Sequence, residues 1–151
     1  MKVNLITPSI YTRPMTKLKQ HTAIVFTQFK GLETADIARD YFDKLRSGYA
    51  SAHYVIDAKG DVVQCIPENE VAYAVTTSHY YSISIGYIGE NITPEMEKAA
   101  LKLCISICNK YDIKKILRHY DITGSPYPNK YVCEPQTFAQ FKTNIINFRG
   151  E

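Results

Sequence analysis

The run TAIVFTQF at 22–29 is continuously apolar and β-branched, which predicts a buried strand. It is followed by TADIARDYFDKLRSG, where Ala38, Tyr41, Phe42 and Leu45 fall on one helical face and Gly48 stands just past the end. The same alternation continues along the chain. SAHYVIDAKGDVVQCIPE alternates around DAKGD and predicts two strands joined by a tight turn. YYSISIGYIG at 80–89 predicts another strand. The next helix opens with Thr93 as N-cap and Pro94 at its first position, and Met96, Ala100, Leu103, Ile107 and Tyr111 recur at helical spacing. KKILRHYD predicts a short strand, and a final helix starts near Pro135 with Phe138, Phe141, Ile145 and Phe148 on one stripe. Strands alternating with helices imply an α/β chain: a central mixed β-sheet flanked by helices.

Composition narrows the function classes. With 151 residues the expectation is a single domain over 1–151, preceded by an extended lead-in at 1–20. Hydrophobic residues at 45% and charged residues at 22% are globular values, so wholesale disorder is excluded. The net charge of +3 carries no block of like charges, so neither a nucleic-acid binder nor a membrane surface partner is indicated. The amino terminus lacks the pattern of a signal peptide and no apolar run approaches membrane length, so a cytoplasmic location is expected. Four cysteines without a Cys-x-x-Cys pair read as reduced thiols rather than a structural zinc site.

In such sheets functional groups gather at strand ends. The ends that matter are IVFTQF, SAHYVID and ILRHYD. Together with PENEVAYA, SISIGYIG, RHYDITG and EPQTFAQFK, in that order over most of the chain, they resemble the type 2 N-acetylmuramoyl-L-alanine amidases. Phage lysozymes of the T7 kind and the peptidoglycan recognition proteins share that fold. The resemblance implies a zinc held by two His and a Cys or Asp, activating a water that cleaves the amide between muramic acid and L-alanine.

Carried over residue by residue, the resemblance implies a changed site. Thr27 stands where the family has its first His ligand, His119 keeps the second, and Tyr127 replaces the Cys. Ser125 replaces a basic residue, Ala74 a His, and Ile88 a Glu of the central strand. A hydroxyl binds zinc weakly unless ionised, so no metal and no cofactor is expected. The expected ligand groove comprises Thr27, His53, Tyr73, Tyr87, His119, Ser125 and Tyr127, with Tyr80, Tyr81, Tyr120 and Tyr131 clustered around it in sequence. His53 reads more readily as a structural group, Asp121 as a loop cap, and Glu68 and Glu70 as solvated or loop-bracing groups. A metal recruited by His21, His79 and His119 is the weakest of the site readings.

The leading functional reading is a pseudo-amidase, phage-encoded in character, whose former active site binds a muropeptide, a small anionic or nucleotide-like molecule, or a protein partner. The alternative is an active zinc amidase with a rearranged metal site, an endolysin or autolysin reaching the cell wall with a phage holin.

Overall fold

The computed structural model describes residues 1–75 and 80–149. Its centre is a six-stranded sheet in the order β1-β4-β3-β5-β2-β6, formed by β1 (Lys2–Val3), β2 (Ala23–Phe29), β3 (Tyr54–Ile56), β4 (Val62–Gln64), β5 (Ser82–Ile88) and β6 (Lys115–Arg118). Every neighbouring pair is parallel except β3 with β4, the hairpin that DAKGD closes. Among the described residues five helices complete the fold: α1 (Ala35–Lys44), α2 (Pro94–Tyr111), α3 (His119–Thr123), α4 (Asn129–Cys133) and α5 (Pro135–Arg149). Among the described residues no helix is long and apolar enough to cross a membrane.

The two faces of the sheet separate by the period-2 rule. Ile24 and Phe26 of β2, Ile83, Ile85 and Tyr87 of β5, and Tyr54 and Ile56 of β3 share a core cluster with Met96, Ala100 and Cys104 of α2 and Phe138 and Phe141 of α5. The opposite face packs Val55 and Ile88 against Ala35, Ala38 and Phe42 of α1. β2 and β5 are buried almost end to end, which is why both read as unbroken apolar runs. Helix α2 starts where its cap residues place it: the Thr93 hydroxyl accepts from the Met96 N–H at 3.2 Å.

β1, from the extended lead-in, joins the sheet edge beside β4. Other local expectations are corrected. On α1 the buried stripe is Ala35, Ala38 and Phe42, while Tyr41 turns outward. Strand β6 stops at Arg118, and His119 opens α3 instead of extending the strand. There the Asp121 carboxylate folds back to accept from the Arg118 N–H at 2.9 Å and from its guanidinium at 2.6 Å. Those guanidinium hydrogen bonds hold the Asp121 carboxyl below its usual range. Phe148 lies outside the apolar stripe of α5 and is exposed.

Candidate functional site

The strand register brings the key side chains together. Thr27 lies on the α1 face of β2, and Phe26 pairs with Arg118, so the residue after Arg118 arrives beside Thr27 at the end of β6. Thr27 Oγ1 and His119 Nδ1 are 2.9 Å apart. The 125–128 loop returns over them: the Tyr120 N–H donates to the Tyr127 carbonyl at 3.1 Å, and the Tyr127 ring stands 6.4 Å from that of His119. Lys30 Nζ lies 5.8 Å from the Tyr127 ring on the outer side. Burial lowers the His119 pKa below its ordinary value, which keeps the imidazole neutral at pH 7.

His119 opens onto a cleft of about 680 Å³ walled by Tyr73, Ala74, Tyr49, Ile10, Pro14 and Ser125. Its rim is aromatic: Tyr49 stacks edge-on against Tyr73 at 5.3 Å and tilts against Tyr11 at 5.8 Å. The wall is anchored from beneath. Arg13 donates to both carboxylate oxygens of Glu70, at 2.8 and 3.0 Å, and to the Ile6 carbonyl at 2.8 Å. His53 is fully buried below: its Nδ1 accepts from the Ser84 N–H at 3.0 Å, so Nε2 carries the proton and donates to the Glu70 carbonyl at 2.6 Å. Burial pushes the His53 pKa down to about 4.

Of the expected groove residues, Tyr73, His119 and Ser125 line the cleft. Thr27, at 3% exposure, sits beneath His119, and Tyr127 stands behind it. Two are misplaced by sequence reasoning. Tyr87 points to the other face of the sheet, where its hydroxyl pairs with that of Tyr131 at 3.0 Å, and Tyr131 donates to Glu97 at 3.1 Å. Tyr131 is therefore a core residue as well. His53 is a buried brace with no surface on the cleft. The β5 neighbour of Thr27 is Gly86, whereas Ile88 pairs with Phe29 and packs against α1. No carboxylate stands at either position, and the Phe29 ring covers Gly86 so closely that an added Cβ would lie 2.5 Å from it.

Glu68 belongs to the opposite end of the sheet. Burial alone would raise its pKa, but donation from Tyr54, from Lys110 at 2.9 Å and from Tyr111 at 2.8 Å lowers it overall. His21 is there too, stacked on Tyr111 at 3.9 Å, so it cannot join His119. His79 lies outside the described residues. Sequence reasoning missed Ile10, Pro14 and Tyr49, which no motif marks and which line the cleft from the segments flanking Arg13 and preceding β3.

Residues 15–131 match the family described as N-acetylmuramoyl-L-alanine amidase. The chain belongs to the N-acetylmuramoyl-L-alanine amidase family. It is 29% identical over 170 aligned positions to the N-acetylmuramoyl-L-alanine amidase CwlL of Bacillus licheniformis, covering 97% of this chain and 47% of the relative. It is likewise 29% identical over 163 positions to BlyA of Bacillus subtilis (strain 168), covering 89% and 44%. The chain thus spans about half the length of the curated relatives it matches. The amidase fold is also that of PlyL, with a TM-score of 0.82 at 20% identity over 96% of both chains. The catalytic domain of XlyA superposes with a TM-score of 0.79 at 17% identity, over 95% of this chain and 97% of that one.

The zinc that the amidase family implies does not fit the donors present. Thr27, His119 and Tyr127 offer one imidazole, one aliphatic hydroxyl and one phenol, where zinc favours imidazole, thiolate and carboxylate. Nδ1 of His119 is already in a hydrogen bond with Thr27. Among the described residues no group of three His, Cys, Asp or Glu is arranged to hold a metal ion.

Proposed function

We propose that this amidase-family chain receives the muramyl-peptide portion of peptidoglycan in the cleft beside His119 and holds it without hydrolysing it. The observation that carries this reading is the 2.9 Å pairing of Thr27 with His119 at the place where the resemblance puts two metal ligands. With Thr27 closed on it from beneath, the His119 imidazole is the polar group that the pair offers to the cleft. Thr27 is too buried, at 3% exposure, to act as a nucleophile in the cleft. Ala74 lines the cleft and Gly86 pairs with Thr27, and neither carries a proton-transferring group.

A second reading, a working amidase, is favoured by the family match over 15–131 and by relatives that are named amidases. It requires metal-binding residues beyond the trio just described. Elemental analysis and a peptidoglycan-release assay separate the two. Binding of muramyl dipeptide with no stoichiometric metal and no released fragments supports the holding function. About one zinc per chain with chelator-sensitive release supports the amidase and ends the first reading.

A further inference from the structure

We infer that Thr27 is a positioning residue that locks the His119 ring in the tautomer carrying its proton on Nε2, so that the cleft presents a fixed hydrogen-bond donor to an acceptor oxygen of the ligand. The inference deepens the reading of the cleft as a muramyl-peptide site and rests on it for the ligand's chemistry, but the state of the ring is a property of the protein alone.

The argument starts from the hydroxyl. Thr27 lies on a central strand at 3% exposure, and among the described residues its Oγ1 pairs with His119 Nδ1. A hydroxyl carries one proton that needs an acceptor, whereas its lone pairs tolerate being idle more cheaply. If Nδ1 carried the ring proton, it would donate to Oγ1 and leave the buried O–H aimed at nothing. If Nδ1 is bare, Thr27 donates to it and the ring proton moves to Nε2. That nitrogen belongs to a half-buried side chain at the cleft wall, where water or a ligand can accept from it. Stranding a buried donor disfavours the first arrangement by roughly 5- to 150-fold.

The contrast with His53 is instructive. That ring is fixed in the same tautomer by backbone groups on both sides, the Ser84 N–H and the Glu70 carbonyl. Among the described residues His119 has one fixed side, supplied by the Thr27 side chain, and its ring stands at the cleft wall. The ligand group that suits it is a neutral or anionic oxygen acceptor: an amide carbonyl or a carboxylate of the peptide stem. A cationic amine is excluded, since a neutral Nε2–H cannot accept from it.

The test is nitrogen NMR of the imidazole in the full chain at pH 7.5. Wild type is expected to show a bare Nδ1 and a protonated Nε2, each near its limiting shift. Thr27→Val, which keeps β-branching and removes the hydroxyl, is expected to bring the two shifts toward each other as the ring averages between tautomers. Thr27→Ser is expected to restore the separation. Muramyl dipeptide is the binding probe, and Thr27→Val is expected to weaken it roughly 2- to 12-fold, the worth of one hydrogen bond. A proton on Nδ1 in wild type overturns the inference, as do unchanged shifts in a folded Thr27→Val. If Thr27→Val does not fold, Thr27→Ala, which also removes the hydroxyl, is read in the same way. Absence of any muramyl dipeptide binding by wild type overturns the ligand reading, and the ligand-free tautomer still judges Thr27 separately.

Discussion

Arg13 grips Glu70 across 57 residues of sequence, and the grip holds the wall of the cleft to the sheet. Both side chains are nearly buried, at 12% and 5% exposure. Removing one partner leaves the other charge without compensation, which costs about 3–5 kcal/mol in buried pairs. Arg13→Met is therefore expected to destabilise the fold by about that amount in urea titration. Arg13→Met with Glu70→Gln is expected to recover part of the loss. Equal stability of wild type and Arg13→Met would show that the pair does not brace the wall.

Restoring metal donors is a sharper test of what the site has become. Thr27→His with Tyr127→Cys places imidazole and thiolate around His119, and stoichiometric zinc uptake is expected in the double variant but not in wild type. Activity is not expected to follow, because Gly86 leaves no room beside Thr27 for an acidic side chain under the Phe29 ring. Elemental analysis of the two proteins checks the claim, and equal zinc in both would refute it.

The same close contact predicts that Gly86 resists even a methyl group. A Cβ there would sit 2.5 Å from Phe29 Cε2 and 2.8 Å from its Cδ2. Gly86→Ala is expected to cost about 1–3 kcal/mol by overpacking. Gly86→Ala combined with Phe29→Leu should lose less than Gly86→Ala alone.

His53 gives the stability a pH dependence with a definite sign. Its folded pKa of about 4 lies below the ordinary 6.5, so the unfolded chain takes up the proton first as pH falls. The contribution is complete above about pH 6.5 and is lost progressively toward pH 4, about 3 kcal/mol in all. Urea titrations of wild type and His53→Gln at pH 7.5 and 4.5 should show a smaller acid loss in the variant. Parallel losses would exclude His53 as the source.

Tyrosines at the rim and in the core should behave differently toward muramyl dipeptide. Tyr73 lines the cleft, and its removal as Tyr73→Ala is expected to weaken binding roughly 2- to 12-fold, the range of an aromatic contact. Tyr87→Phe is expected to leave affinity unchanged and to lower stability by about 1 kcal/mol, the worth of its bond to Tyr131. Calorimetry on both variants distinguishes the two roles.

What could be read from the sequence was whatever depends on local pattern. TAIVFTQF and SISIGYIG announce strands covered on both faces, and Thr93-Pro94 announces where α2 begins. The meeting of Thr27 with His119 was expected only through the family resemblance, which puts both at metal-ligand positions. Which face a residue takes was not legible in a continuous apolar run, because the period-2 signal vanishes when both faces are buried. Tyr87 was lost to the cleft for that reason, and Gly86 was passed over as the neighbour of Thr27. The Arg13–Glu70 anchor and the approach of Tyr49 to Tyr73 are long-range pairings that carry no local trace. The short strand β1, only two residues, has too little length to show any period.

The four cysteines, all free thiols, divide into two chemical populations. Cys65, Cys104 and Cys108 are buried, with Cys65 pushed up to about 12 and Cys104 well above the ordinary thiol value by that burial. Thiolate is the form that alkylates, so Cys65 and Cys104 are doubly protected while the fold is closed, and Cys108 is shielded by its burial. Cys133, on α4, faces solvent. A maleimide dye should therefore attach there alone under native conditions, five residues after the Pro128 that closes the Tyr127 loop. Cys65 belongs to the α1 face and Cys104 and Cys108 to the α2 face, so the order in which the remaining thiols become alkylated under mild denaturant would record which side of the sheet opens first.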